Sequence, residues 1–311
     1  MTIFLYGVIY SSLVVFLSAC AIRAARYARA PVHLRWELYP VPHEEPDRVK
    51  HGGSYFEASD WWTKSVRFNL WGELKFMIPE MLFLKGLWEF NRKMWSRSFP
   101  FHFGLYLLIV ATVTLFLRAA AGLISPGLDM GLVGQSLHFF CTWTGLAGAG
   151  LALWGASGLL LRRLTDEGLK TYTTRGDILN LLFFIVTLGL LIAAYAFRGA
   201  GAPSPFDLAR GILTFQTGLA VPALQMAALL SGAMLLAYIP LTHMSHFIAK
   251  WFTYHSVRWD DAPSGKREAL RVRFAEYLTY RPTWSAPHMG ADGLKTWADV
   301  VVADPTKGVR K

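Results

Sequence analysis

The sequence predicts an all-α integral membrane protein, a five-helix bundle with its N-terminus outside, its C-terminus in the cytoplasm and a long cytoplasmic insertion between the first two helices. Three observations predict it. Of the 311 residues, 53% are hydrophobic, and the mean hydropathy is +0.32, a composition suited to lipid rather than water. Five apolar runs supply the roughly 20 residues that a helix needs to cross a hydrocarbon core of about 30 Å. The segments 23–100, 162–177 and 242–311 hold 13, 4 and 11 of the 31 Lys and Arg, which leaves three for the loops 118–131 and 198–211. Such asymmetry marks the basic side as cytoplasmic.

The first run is Ile3–Ile22. Its Leu17-Ser18-Ala19-Cys20 resembles a lipoprotein cleavage box, but Met1–Ser12 contains no Lys or Arg, so the basic region that precedes a signal peptide's apolar core is missing. Arg23, Arg26 and Arg29 instead follow the run, and residues 1–22 are read as a retained helix. Residues 23–100 form the insertion. In its first half Pro31, Pro40, Pro42, Pro46, Gly52 and Gly53 forbid a long helix. In its second half, Trp61–Trp95, the residues Leu74, Met77, Ile78, Met81, Leu84, Leu87 and Trp88 recur at helical spacing among Lys75, Glu80, Lys85, Glu89, Arg92 and Lys93. That pattern predicts an amphipathic helix, broken at Pro79, lying in the headgroup plane or against a cytoplasmic subunit.

The second span is Phe101–Leu117, continuing past Arg118 to about Ile124. The third is Leu132–Leu161 and the fourth Ile178–Phe197. The fifth is Ile212–Leu241, with Pro222 near its outer end and Pro240 near its inner end. Residues 101–246 thus make the bundle, and 247–311 read as an extended cytoplasmic arm that orders on a partner surface.

Charge and cysteine content exclude several functions. A net charge of +10 suggests nucleic acid, but topology accounts for the basic residues and they form no reading face. The two cysteines, Cys20 and Cys141, lie inside apolar runs, so a disulfide framework, a covalent haem attachment and an iron–sulfur site within this chain are excluded. A transporter is disfavoured because Ile178–Phe197 carries no charge and no inverted repeat is visible.

The chemistry rests on nine histidines. His33, His43, His51, His255 and His288 fall in polar cytoplasmic segments, as ordinary solvated or interface residues. His102, His243 and His246 sit at the cytoplasmic ends of the second and fifth spans, and His138 lies near the outer end of the third. An imidazole at the edge of a hydrocarbon span needs a partner, and an intramembrane ionisable residue is a functional hypothesis by default. His102 and His246 share one depth, as axial ligation of a haem requires. Gly104 and the series Gly145, Gly148, Gly150, Gly155 and Gly158 leave room for a macrocycle or serve as packing positions between helices. From the residues alone, two interfacial imidazoles hydrogen-bonded to lipid or water remain an open alternative.

The order of several motifs then resembles a known family. Phe101-His102-Phe103-Gly104-Leu105, Leu159-Leu160-Leu161-Arg162-Arg163, Thr173-Thr174-Arg175-Gly176-Asp177-Ile178-Leu179, and Pro240 with His246 are similar, over about residues 100–255, to the gamma subunit of respiratory nitrate reductase. The resemblance implies a five-helix cytochrome b with haem b bound by His102 and His246, His243 standing beside it, and menaquinone or another quinone as substrate. Trp36-Glu37-Leu38-Tyr39-Pro40-Val41-Pro42 and Lys85-Gly86-Leu87-Trp88-Glu89-Phe90-Asn91-Arg92 look more like the related cytochromes b of heterodisulfide-reductase-like and sulfate-reducer complexes. That branch implies an iron–sulfur subunit of heterodisulfide reductase type as partner, further membrane or periplasmic cytochrome c subunits, and a prokaryotic inner membrane.

One departure from the nitrate reductase pattern stands out. Its second, outer haem has ligands ten residues after the first histidine and eighteen before the last, which here are Thr112 and Ala228. Neither binds iron, so that haem is expected to be lost or relocated. His138 is the intramembrane histidine left at the outer level. It is a candidate ligand of a five-coordinate haem, alone or with Met130 or Met226, a candidate quinone contact with Gln135 and Arg118, or a satisfied helix-end histidine. His243, three residues before His246, is expected on nearly the same helical face, beside the haem rather than on its iron. No residue reads as an acid–base catalyst. A haem-free membrane anchor for a cytoplasmic enzyme is the alternative function.

Overall fold

The computed structural model describes residues 1–29, 69–125, 131–254, 268–283 and 292–302. Among these residues every regular element is helical. In chain order they are α1 (Thr2–Arg29), α2 (Leu70–Phe83), α3 (Lys85–Phe90), α4 (Arg92–Ile124), α5 (Leu132–Thr165), α6 (Glu167–Lys170), α7 (Arg175–Ala196), α8 (Pro205–Thr214), α9 (Ala223–Tyr238), α10 (His246–Tyr254), α11 (Glu268–Leu278) and α12 (Trp297–Val302). Two 3-10 turns, Ile239–Leu241 and His243–Ser245, join α9 to α10. Helices α1, α4, α5, α7 and α9 are long and apolar enough to cross a membrane, the last span running on to Leu241. These are the five spans expected from the apolar runs.

The chain divides into two compact units, Met1–Ala28 with Glu73–Trp251, and Arg29–Gly72 with Phe252–Lys311. The first contains the bundle. Helices α4 and α5 run antiparallel along a seam of small residues. A Cβ added at Gly104 would lie 2.4 Å from the Ala152 nitrogen, and one at Gly155 would lie 2.4 Å from the Phe101 nitrogen. Only backbone against backbone fits there, as is usual where membrane helices pack without a hydrophobic driving force. The core beside this seam consists of Phe101, Ala149, Ala152, Ala156, Phe184, Leu188 and Leu235, so α7 and α9 complete it. Helices α7 and α9 are also antiparallel. Thr187 and Ser231 meet through their hydroxyls at 2.7 Å, and Tyr238 donates to the Asn180 side chain at 2.9 Å. Large apolar side chains such as Val110, Leu117, Trp143, Trp154, Val186 and Met234 point outward, as the lipid-facing surface of a bundle does.

Helix α1 attaches along α9. Leu5 and Tyr6 are fully buried against Met226, and Arg23 donates to the carbonyl of the buried Pro240 at the other end. Here the structure corrects one boundary. The fifth span does not start at Ile212. The chain leaves the helix at Phe215, whose φ of 54° is left-handed, and Pro222 caps the start of α9. The freed carbonyls are taken by α1, with Thr2 Oγ1 donating to Leu219 at 3.0 Å, Tyr6 Oη to Gln216 at 2.8 Å and Tyr10 Oη to Ile212. Irregular backbone next to lipid requires such internal partners.

A second correction concerns the insertion. Helix α2 runs through Pro79 without a break, and the break falls at Leu84, whose φ is 52°. The last carbonyls of α2 find side-chain donors, Tyr106 Oη for Met81 and Trp95 Nε1 for Phe83. Helix α4 is longer than the second span, beginning at Arg92 with Asn91 as its cap and carrying Pro100 inside it. The Trp36–Pro42 motif, Met130, His33, His43, His51, His255 and His288 lie outside the described residues.

In the second unit, α11 ends in a turn where the Trp297 amide donates to the Tyr280 carbonyl at 2.8 Å, and Thr296 and Asp299 cap α12 reciprocally. The segment 247–311 is therefore not uniformly extended, because most of α10 and all of α11 and α12 fall within it.

Candidate functional site

The antiparallel packing collects the starts of α4 and α7 and the ends of α5 and α9 at one end of the bundle. His102 belongs to this end. It lies on α4 beside Phe101, which is held edge-on against Phe184 with ring centres 5.0 Å apart. Nδ1 of His102 is 2.8 Å from the Ser98 carbonyl, one turn earlier on the same helix, and 3.3 Å from the Ser98 hydroxyl. A carbonyl only accepts, so this tautomer carries its proton on Nδ1 and presents the Nε2 lone pair on the far edge of the ring. Metal-binding histidines are held in the same manner. Ser98 is buried and its position was not singled out from sequence; the signal was a serine one turn before a span histidine.

His246 faces this ring. The two ring centres are 6.0 Å apart and the planes cross at 66°. A metal–imidazole bond is about 2 Å long, so rings at this spacing leave room for one ion that both imidazoles would hold. His246 opens α10 and is exposed as a residue, with part of its ring shielded by the chain. Partial burial nonetheless draws its pKa below the ordinary value, against the opposing His243 carbonyl, which favours the neutral ring that ligates metals. Among the described residues no group of three or more His, Cys, Asp or Glu side chains gathers as a metal site. A pair of imidazoles on facing segments is instead a haem-type donor set.

His243 opens the 3-10 turn that leads into His246, three residues later. Its Nε2 turns toward α7, 3.2 Å from the Asn180 amide nitrogen and 3.4 Å from Asp177. Asp177 also pairs with Arg163 at 3.6 Å and closes the capping box of α7 with Thr174. Asn180 accepts from Tyr238, so one polar cluster ties the ends of α5, α7 and α9 beside the imidazole pair. The glycines act mainly in packing. Gly104, Gly148 and Gly155 press against backbone, Gly158 meets the Arg97 side chain, and Gly150 faces open space.

His138 lies at the opposite end, near the start of α5. With Gly148 against Gly104 and Gly155 against Phe101, it stands level with about Arg118, which is about 24 Å along α4 from His102 at 1.5 Å per residue. His138 and Gln135 are exposed on the surface of α5. Arg118 turns to α8, with its guanidinium 4.2 Å over the Phe206 ring. Met226 is taken up in the cluster with Leu5 and Tyr6. Thr112 is exposed and Ala228 buried. A cavity of about 630 Å³ also opens at this end, lined by Pro203, Asp207, Arg210, Thr214, Gln216 and Leu219 among others. None of the described histidines lines it.

A family model described as nitrate reductase gamma subunit matches residues 87–260, more than half of the chain and the whole of α4 to α9. No curated protein and no solved structure matches the chain. With its five spans, its paired imidazoles and this match, the chain belongs to the nitrate reductase gamma subunit family, the membrane-embedded cytochrome b subunits of multi-subunit electron-transfer complexes.

Proposed function

We propose that this chain is the haem b-carrying subunit of a respiratory complex, moving electrons between a menaquinone or other quinone pool and a cytoplasmic iron–sulfur subunit of heterodisulfide reductase type. The observation that carries the reading is the facing of His102 and His246 at 6.0 Å, with Nδ1 of His102 committed to the Ser98 carbonyl. When bound, haem b supplies one-electron chemistry at a potential set by its axial ligands and burial. His102 would hold the iron from the α4 side, its ring orientation locked by Ser98, and His246 from the α10 side. His243, held by Asp177 and Asn180, would stand beside the group rather than on its iron.

The Lys and Arg distribution supports an N-terminus outside and a C-terminus in the cytoplasm, in a prokaryotic inner membrane. The imidazole pair then stands at the cytoplasmic end, the side on which the iron–sulfur partner would dock. Further membrane or periplasmic cytochrome c subunits would complete such an assembly. A quinol gives up two protons with its two electrons, so its site needs groups that hydrogen-bond the headgroup and receive protons. Gln135, Arg118 and His138 are the candidates at the outer end.

Haem b per polypeptide, measured as pyridine haemochrome in the purified complex, tests the proposal. His102→Ala and His246→Ala are each expected to remove the same haem while the chain still inserts and elutes as the wild type does. A wild-type chain without haem, or full haem in both variants, would sink the reading and promote the haem-free anchor. His138→Ala in parallel asks whether an outer haem exists, since two haems falling to one would assign it there.

A further inference from the structure

Helix α2 is inside out for a helix in water. Met77 and Glu80 lie on the face against the protein. Met77 is buried, and the Glu80 carboxylate accepts the Gly86 amide at 2.9 Å and pairs with Lys250 of α10 at 3.3 Å. On the adjoining outward face Leu74, Ile78 and Leu82 fall together at helical spacing and are 37%, 49% and 42% exposed. An amphipathic helix at a water boundary turns its charges outward. Here a charge is turned in and the hydrocarbon out.

The attachment of α2 gives its depth. Tyr106 donates to the Met81 carbonyl at 2.9 Å, Trp95 Nε1 donates to the Phe83 carbonyl at 2.8 Å, and the Phe83 and Phe99 rings stack at 6.4 Å. Counting back about 20 residues from Arg118 sets the near edge of the hydrocarbon around Phe99, so Tyr106 begins about 10 Å inside it. Its side chain leans back toward the start of α4, leaving the Met81 carbonyl a few Å within the edge. The outward face of α2 is therefore continuous with the lipid-facing surface of α4 at Ile109, Val110 and Val113, which are 60%, 46% and 52% exposed. The last carbonyls of α2 are satisfied by this chain's own side chains, as a helix end in hydrocarbon must be. Lys75, exposed near the outward face, has the stem to reach the headgroups.

We propose that α2 is a membrane-inserted interfacial helix whose Leu74, Ile78 and Leu82 face lies against the acyl chains of the leaflet at the His102 end, so that bilayer lipid and not a second protein covers it. The full chain carrying Cys20→Ser and Cys141→Ser is given a single cysteine by Ile78→Cys or, independently, Leu82→Cys. Each is labelled with an environment-sensitive dye and reconstituted alone into phosphatidylcholine–phosphatidylglycerol vesicles. Val110→Cys is the lipid-exposed reference and Arg273→Cys the aqueous one, and circular dichroism checks the fold of each. Lipid with a nitroxide near the headgroup is expected to quench the Ile78 and Leu82 labels at least half as strongly as the Val110 label. Quenching no greater than at Arg273 for both positions would overturn the proposal and assign the face to water or a protein partner.

Discussion

Replacing Gly155 with alanine is the smallest change that tests the α4–α5 seam. The added Cβ would lie 2.4 Å from the Phe101 nitrogen and 2.7 Å from the Arg97 carbonyl oxygen. Both are backbone atoms, which no rotamer change can move aside. Ordinary contact begins near 3.4 Å, so the helices must part by about 1 Å along a close-packed seam. Overpacking of this kind costs about 1–3 kcal/mol. At about 2–4 °C per kcal/mol for a domain of 150–250 residues, thermal unfolding in detergent is expected to fall by about 2–12 °C. Gly150→Ala on the same helix is the control, because nothing lies within 4 Å of its added Cβ. It should leave the midpoint unchanged or raise it slightly, as alanine at a compatible helical site gains about 0.4–1 kcal/mol. Because the strained contact is at Phe101, the neighbour of His102, Gly155→Ala should also lower haem retention after detergent extraction while Gly150→Ala does not. Equal midpoints for the two variants would refute the backbone-to-backbone seam.

Two further outcomes rest on the same assay. Thr187→Val strips one partner from the buried 2.7 Å hydroxyl pair and should cost about 0.6–2 kcal/mol; adding Ser231→Ala should restore part of that by removing the orphaned hydroxyl, and a double variant worse than the single would contradict a direct bond. At Leu84, whose φ is 52°, Leu84→Gly should exceed Leu84→Ala in stability by about 1 kcal/mol because the left-handed region penalises a Cβ, and the reverse ranking would place the break between α2 and α3 elsewhere.

Much of the bundle was legible because a bilayer constrains sequence so strongly. Runs such as Leu132–Leu161 leave few alternatives to a spanning helix, and Thr174 with Asp177 writes the start of α7 into four adjacent residues. The lost details depend on distant partners. Nothing near Ile212 signals that the helix stops at Phe215, because the groups that satisfy the freed carbonyls are Thr2, Tyr6 and Tyr10, some 200 residues earlier. Pro79 looked like a break because proline removes a helix donor, whereas the end of α2 at Phe83 is met by Trp95 and Tyr106, which belong to another helix. At the candidate site, the common depth of His102 and His246 followed from where the spans end. The contacts of His243 with Asn180 and Asp177 did not, since they come from another helix more than 60 residues earlier. Ser98 escaped notice because its useful atom is a backbone carbonyl, which every residue owns.

The two imidazoles stand on supports of unequal stiffness. His102 rises from a 33-residue helix clamped to its neighbour by main-chain contact. His246 opens a helix of nine residues that follows two short 3-10 turns and is braced by the Glu80–Lys250 ion pair. The pair is thus gripped like work in a vice with unlike jaws, one a long helix seated on main chain and the other a short piece of chain pinned at the buried Pro240, at His243 and at Lys250.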